Sequence, residues 1–194
     1  LKANIDPSVK IITFPHIAPE TAQLFPIKEL TKIARDAGAV SVIDGAHAPG
    51  QIKVNLKEIG ADFYVGNCHK WMLSPKGAGF VYASRKYENR IRPPAISWGN
   101  ISEGTSSLLL ENDWQGTTDI SSILAVQDAI NFLNKNKWFE TVVPRSNQLI
   151  KEFNEITLSI TGMDDLYLHT DFQPPQMRSY LLPEGDHSSL HTEL

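Results

Sequence analysis

The feature that most constrains this chain is a regular alternation of short apolar runs with helical patterns. The apolar runs are rich in β-branched and aromatic residues, and they are KIITF at 10–14, VSVID at 40–44 and DFYVGN at 62–67. Between the first two, IKELTKIARDAG at 27–38 has apolar residues at helical spacing, with Pro26 and Gly38 marking its ends. A shorter helix, NLKEIG at 55–60, precedes the third run. The alternation predicts an α/β fold with right-handed crossovers and a mostly parallel sheet.

A fourth strand, GFVYAS at 79–84, follows without an intervening helix, which favours an antiparallel edge strand. The continuous apolar runs predict strands that are covered on both faces. Residues 85–115 show little periodicity, so we expect a long loop with a functional or interfacial role.

Helical patterns return at 120–135, with Ser121 or Asp119 as N-cap, and at 138–156, where Pro144 should kink or divide the helix. The segments LYLHT and RSYLLP then suggest strands, and HSSLHTEL at the end suggests a further helix. This change of pattern predicts a first domain over residues 1–135 and part of a smaller one over residues 136–194.

Composition excludes several classes of protein. The net charge of -4, without a polybasic stretch, argues against nucleic acid or an anionic membrane as the main partner. Cys68 is the only cysteine, so no internal disulfide can form, and a reducing, cytoplasmic location fits best. No apolar run approaches the roughly 18 residues of a membrane helix. The chain begins without methionine and ends in a helical pattern, so we expect a fragment of a longer protein.

Chemistry-bearing residues follow two neighbouring predicted strands. Asp44 ends the run at 40–44, His47 follows it, and His69 and Lys70 come directly after the run at 62–67. Ligands of open parallel sheets bind beyond the carboxyl ends of the strands, so these side chains should converge on one edge. Taken singly, an Asp at a strand end is usually a turn residue, and a Lys near a loop is usually a solvated charge.

Together, the lysine and the carboxylate indicate a more specific chemistry. A lysine in a partly desolvated pocket can provide a neutral amine for Schiff-base formation. A carboxylate can keep the ring nitrogen of a pyridine cofactor protonated, which makes the ring an electron sink.

Two segments, VIDGAHAPGQ at 42–51 and GNCHKWMLSPKGAGF at 66–80, resemble the class V aminotransferase family of fold-type I pyridoxal 5′-phosphate enzymes. The likeness is to the isopenicillin-N-epimerase-like and cysteine-desulfurase-like branch. It implies that residues 1–135 are the C-terminal part of a cofactor-binding large domain and that residues 136–194 begin a small α+β domain. It also implies pyridoxal 5′-phosphate as cofactor and a small amino-acid substrate.

Four site residues follow from this resemblance. Lys70 matches the lysine that holds the cofactor as a Schiff base, and Asp44 matches the carboxylate that pairs with the pyridinium nitrogen. His47 matches the position, glutamine in many relatives, that hydrogen-bonds the phenolic oxygen. His69 matches a histidine that contacts the phosphate, although a structural histidine bonded to the backbone is the open alternative.

The pair Gly116 and Thr117 matches a Gly-Thr pair that reaches the phosphate of the neighbouring subunit's cofactor, which implies a homodimer with shared active sites. Thr117 could equally belong to the turn before a helix. Three tryptophans near these motifs could line a pocket or pack in the core or an interface, namely Trp71, Trp98 and Trp114. A lone cysteine such as Cys68 is more often a small buried residue than a nucleophile. The resemblance places the persulfide-carrying cysteine of cysteine desulfurases on a separate later loop, where this sequence has no cysteine, which disfavours desulfuration through a cysteine persulfide.

The sequence therefore predicts an enzyme of the aminotransferase, lyase or epimerase type, working through Lys70. The family's phosphate-cradling turn and its arginine for the substrate carboxylate are not evident in this chain, and Arg178 does not obviously replace the latter. The alternative is a truncated, inactive homologue that serves as a binding or structural module. A nicotinamide-binding domain is disfavoured because no G-x-G-x-x-G follows a strand.

Overall fold

A computed structural model of the chain describes residues 5–99, 108–113, 116–167 and 169–193. Its centre is a four-stranded sheet in the order β1-β2-β3-β4. The strands are β1 (Ile11–Pro15), β2 (Val40–Gly45), β3 (Phe63–Asn67) and β4 (Gly79–Ala83). The first three strands are parallel and β4 is antiparallel to β3, which confirms the mostly parallel sheet and the predicted direction of β4.

The helices of the described residues occupy the predicted crossovers and the second half of the chain. They are α1 (Ile27–Asp36), α2 (Leu56–Ile59), α3 (Leu108–Asp113), α4 (Ser121–Leu124), α5 (Val126–Lys135), α6 (Trp138–Thr161) and α7 (Ser188–Glu193). Helix α3 was not predicted, because the sequence indicated only a long loop over residues 85–115. No helix within these described ranges is both long and apolar enough to cross a membrane.

The core lies on the face of the sheet that α1 and α2 cover. Ile43 of β2 and Tyr64 of β3 are fully buried there, together with Ile27 of α1 and Ile59 of α2. Each fully buried side chain of this size contributes about 1.5–3 kcal/mol. Thr31 of α1 donates a hydrogen bond to the carbonyl of Ile59 at 2.8 Å and so fixes the two helices to each other.

The opposite face of the sheet is open among the described residues. Ile11, Val65 and Val81 all point to it and are 64%, 46% and 51% exposed. The expectation that both faces are covered is therefore wrong for these residues. The reason is topological: two right-handed crossovers that step in the same direction, from β1 to β2 to β3, place both helices on one side.

The second half differs from the sequence prediction in three respects. The helix expected over 120–135 breaks at Ala125 into α4 and α5. Helix α6 continues through Pro144, so the helix does not divide there, and the alternative of a kink at Pro144 stays a prediction. No strand forms in the described parts of the tail, 162–167 and 169–193, although two were predicted. A strand needs a hydrogen-bonding neighbour, and the tail instead binds the loop after β1 through single contacts, such as the Ser179 hydroxyl to the carbonyl of Glu20.

Candidate active site

The parallel pairing of β2 and β3 brings their carboxyl ends to one edge of the sheet. Near the carboxyl ends of the two strands, Asp44 pairs with Val65 and Gly45 pairs with Gly66. Asp44 projects to the open face and is exposed. The chain after β3 reaches Lys70 three residues beyond Asn67, so the edge carries the residues that the motifs predicted.

Lys70 and His47 meet at this edge. The amine Nζ of Lys70 lies 3.0 Å from Nε2 of His47. The other ring nitrogen, Nδ1, accepts a hydrogen bond from the indole N–H of Trp71 at 3.5 Å. All three side chains are partly buried. The structure thus joins a residue from the turn after β2 to two from the turn after β3.

The backbone of His47 is held by a tight turn and by a buried amide. The N–H of Ala48 donates to the carbonyl of Gly45 at 3.0 Å, which closes the turn. The side-chain amide of Gln51, which is fully buried, donates to the carbonyl of His47 at 2.8 Å. These two hydrogen bonds hold the backbone of His47 in place at the sheet edge.

The turn that carries Lys70 and Trp71 is packed against Gly50. Gly50 has φ +87°, and a Cβ at this position would lie 2.3 Å from the carbonyl oxygen of Trp71. The N–H of Leu73 donates to the carbonyl of Lys70 at 3.1 Å, with Leu73 itself at φ 63°. Only glycine at position 50 permits this close approach of the two turns.

Charges around His47 act in opposite directions. Burial lowers the pKa of His47, and the nearby Lys70 ammonium lowers it further, whereas the carboxylates of Asp44 and Glu20 raise it. The pKa of His47 is lower than that of a free histidine, so the neutral ring is favoured. A neutral imidazole can donate from one nitrogen and accept at the other.

Asp44 and His69 each use one side-chain atom for a structural hydrogen bond and keep a second polar atom that bonds no described residue. One oxygen of Asp44, Oδ1, accepts the N–H of Ala46 at 2.9 Å, as expected for a turn residue. Nδ1 of His69 donates to the carbonyl of Ala78 at 3.0 Å, as expected for a structural histidine. Oδ2 of Asp44 and Nε2 of His69 make no hydrogen bond to any described residue, and both atoms are available to a ligand.

Gly116 and Thr117 do not join the Lys70 edge within the described residues. Both are exposed, and a Cβ at Gly116 would have no atom within 4 Å. The following segment does approach the lysine turn, because the hydroxyl of Ser74 donates to the carbonyl of Ser122 at 3.3 Å. The proposed contact of Gly116 and Thr117 with a partner subunit stays a prediction.

Other candidate residues have structural environments. The buried side chain of Arg178 forms an ion pair with the partly exposed Asp165, and this pairing opposes a role for Arg178 in binding a substrate carboxylate. Cys68 is buried, and burial raises the pKa of its thiol, so it is not an activated nucleophile. Trp98 is 88% exposed and not part of the core. Trp114 lies outside the described residues.

Comparison with known proteins shows which family the chain belongs to. The model of the family "Aminotransferase class-V" matches residues 1–189. The chain belongs to the class V aminotransferases. These are pyridoxal 5′-phosphate-dependent enzymes, and the fold-type I assignment made from the sequence is confirmed.

Two curated class V relatives illustrate the similarity. An L-cysteine desulfhydrase of Arabidopsis thaliana is 38% identical over 130 residues, which are 66% of this chain and 28% of that protein. An isopenicillin N epimerase of Amycolatopsis lactamdurans is 34% identical over 141 residues, 67% of this chain and 35% of that protein. The chain thus spans about a third of the length of these relatives.

A solved structure supports the fold of this class V chain. The apo cysteine desulfurase of Thermococcus onnurineus NA1 superposes with a TM-score of 0.74 at 22% identity, over 86% of this chain and 42% of that one. At this identity the likeness concerns the fold alone.

The polar groups of this class V chain fit the pyridine ring of the family's cofactor and its substituents. An amine at Lys70, a carboxylate oxygen of Asp44 and an imidazole at His47 are the groups that the aldehyde, ring nitrogen and phenolic oxygen of pyridoxal phosphate require. All three belong to one edge of the sheet. For the phosphate, the described residues offer Nε2 of His69 as a contact.

The structure also shows contacts that sequence reasoning missed. Gln51 ends the motif VIDGAHAPGQ, but the sequence assigned it no function. Only the structure shows that it bonds the backbone of His47 and of Gln176. The hydrogen bond of Trp71 and the approach of Glu20 to His47 had no sequence signal, because each joins separate turns.

Proposed function

We propose that this chain is the lysine-bearing part of a pyridoxal 5′-phosphate-dependent enzyme that acts on an amino acid or a small amino-acid derivative. The main support is the contact of 3.0 Å between Nζ of Lys70 and Nε2 of His47, at the sheet edge where Asp44 is the last residue but one of β2. A structural lysine would not need an imidazole and a carboxylate gathered beside it. Family membership supports the same conclusion.

Each residue of the edge has a separate role in this proposal. Lys70 is the attachment point for the cofactor and moves a proton at its Nζ. Asp44 holds the ring nitrogen through its free carboxylate oxygen. Nε2 of His47 contacts the amine of Lys70 in the structure. With the cofactor bound, it would donate to the ring oxygen instead. His69 contacts the phosphate through Nε2, since Nδ1 is already used by Ala78.

The cofactor, when bound, supplies an electron-withdrawing ring that stabilises negative charge on the substrate carbon next to the amino group. The residues described here orient that ring and handle the proton. The proposal covers transferase, lyase and epimerase chemistry alike. The similarity to an L-cysteine desulfhydrase favours a cysteine-type substrate.

The proposal extends to assembly and location. We propose a cytoplasmic homodimer in which Gly116 and Thr117 of one subunit complete the phosphate site of the other. The support is that both residues are exposed and lie away from the Lys70 edge of their own subunit within the described residues.

Borohydride reduction of the full-length protein with pyridoxal 5′-phosphate tests the central proposal. We expect mass spectrometry to find a pyridoxyl group on the peptide that contains Lys70, and none after Lys70→Ala. The matched control is Lys76→Ala, because Lys76 is an exposed lysine of the same loop. The control should retain the adduct. An adduct on another lysine, or none in the wild type, contradicts the proposal and favours a binding or structural module.

A further inference from the structure

Trp71 determines which nitrogen of His47 carries the proton. An indole N–H can only donate a hydrogen bond. It points at Nδ1 of His47, with a distance of 3.5 Å between the two nitrogens. Nδ1 must therefore present a lone pair, and a neutral imidazole then carries its proton on Nε2. That nitrogen lies 3.0 Å from the amine of Lys70.

We propose that Trp71 is a positioning residue that holds His47 in the Nε2–H tautomer and thereby favours the unprotonated, nucleophilic amine of Lys70. An unprotonated amine has a lone pair that accepts the Nε2–H. An ammonium group, in contrast, has only donors and requires a lone pair on Nε2. His47 would then carry its proton on Nδ1, directed at the indole N–H, so that two donors would face each other.

The surroundings of the three side chains support this arrangement. The charged groups near His47 are Lys70 from the turn after β3, Asp44 from the end of β2 and Glu20 from the loop after β1. Burial, the largest influence on the pKa of His47, lowers it and so favours the neutral imidazole, which is the condition for a single tautomer.

The backbone of Trp71 is fixed independently of His47. The carbonyl of Trp71 packs against Gly50, where no side chain could fit. The carbonyl of Gly50 in turn accepts a hydrogen bond from the indole N–H of Trp138 at 2.8 Å. These contacts hold the turn that carries Trp71 beside the turn that carries His47.

The expected effect is modest because the hydrogen bond is long. A single weak hydrogen bond changes an equilibrium by about threefold. Trp71 is therefore one contributor to the reactivity of the amine, and its loss should change the pH dependence of that reactivity without abolishing it.

The tautomer of His47 gives the first test, and it needs no cofactor. Ring-nitrogen NMR shifts of cofactor-free full-length protein, assigned with a His47→Gln spectrum, report which nitrogen carries the proton. We expect the ratio of the Nε2–H to the Nδ1–H tautomer to be about threefold higher in the wild type than in Trp71→Phe. Equal ratios in the two proteins, or a lower ratio in the wild type, overturn the inference.

The second test follows the reactivity of Lys70 itself. Cofactor-free full-length protein is treated with an amine-labelling reagent between about pH 7 and about pH 11.5, a range that extends above the pKa of about 10.4 of an ordinary lysine amine, and labelling of Lys70 is measured by mass spectrometry. Trp71→Phe keeps the ring but removes the donor. We expect labelling about threefold slower at the lower pH values, with the same plateau at high pH. Trp98→Phe, the change of an exposed tryptophan, is the control and should match the wild type.

Two outcomes of the labelling overturn the inference. One is a Trp71→Phe profile equal to that of the wild type. The other is a uniform decrease at every pH, which indicates altered access to Lys70.

This inference rests on the proposed function, because the amine of Lys70 matters only if Lys70 holds the cofactor. The two can nevertheless fail separately. Absence of a pyridoxyl group on Lys70 together with an Nε2–H tautomer refutes the function and leaves the hydrogen-bond assignment standing.

Discussion

The side chain of Gln51 and the backbone of Gln176 meet across a separation of 125 residues. The Oε1 atom of Gln51 accepts the N–H of Gln176 at 3.2 Å, while its amide group donates to the carbonyl of His47 at 2.8 Å. Gln51 is fully buried, so water cannot replace either bond. One side chain thus links the tail of the chain to the turn that carries His47.

Gln51→Leu should destabilise the protein by about 2 kcal/mol, because it leaves a carbonyl and an N–H buried without partners. Denaturant unfolding of the full-length protein measures the change. Gln127→Leu is the matched control, since Gln127 is an exposed helical residue that bonds only Asn131 among the described residues. Its effect should stay within about 0.5 kcal/mol. Equal effects of the two substitutions would show that the buried link does not stabilise the fold.

Gly50→Ala should cost at least about 3 kcal/mol in unfolding free energy, because it adds a steric overlap to backbone strain. The new Cβ would lie 2.3 Å from the carbonyl oxygen of Trp71. Gly38→Ala separates the two causes: Gly38 has φ +73° but no atom within 4 Å of an added Cβ. We expect strain of about 1–2 kcal/mol there. The prediction is wrong if both variants unfold at the same denaturant concentration.

His16 should make the protein less stable as the pH falls from about 6.5 to about 4. Burial lowers the pKa of His16 from 6.5 to about 4, and its Nδ1 lies 2.8 Å from the hydroxyl of Tyr64. In that interval the unfolded chain binds a proton that the folded chain does not, so stability is lost on acidification and levels off below about pH 4. The full loss is about 3 kcal/mol.

Unfolding of the wild type and of His16→Gln at several pH values measures this contribution. The variant should be less stable than the wild type at pH 7 and should lose less stability on acidification. Parallel pH profiles for the two proteins would exclude His16 as the source of the slope.

The amino-acid sequence by itself determined the four strands, the helices α1 and α2, and the mostly parallel direction of the strands. Strand residues such as Ile43 belong to runs whose length and β-branching favour a buried strand, and the ends of α1 are marked by Pro26 and Gly38. The sequence motifs also placed Asp44 and Lys70 after neighbouring strands. Local pattern suffices for these features, because hydrophobic periodicity and turn residues act over a few positions.

Only the tertiary structure decided which face of the sheet is covered, and which groups touch His47. The open face follows from the direction of successive crossovers, and the strands predicted in the tail are absent from its described residues because the tail binds a loop instead of another strand. The contacts of His47 with Lys70, Trp71 and Gln51 join separate turns. Hydrogen bonds depend on distances of a few tenths of an ångström and on which nitrogen carries a proton, and these are set by the packing of the whole chain.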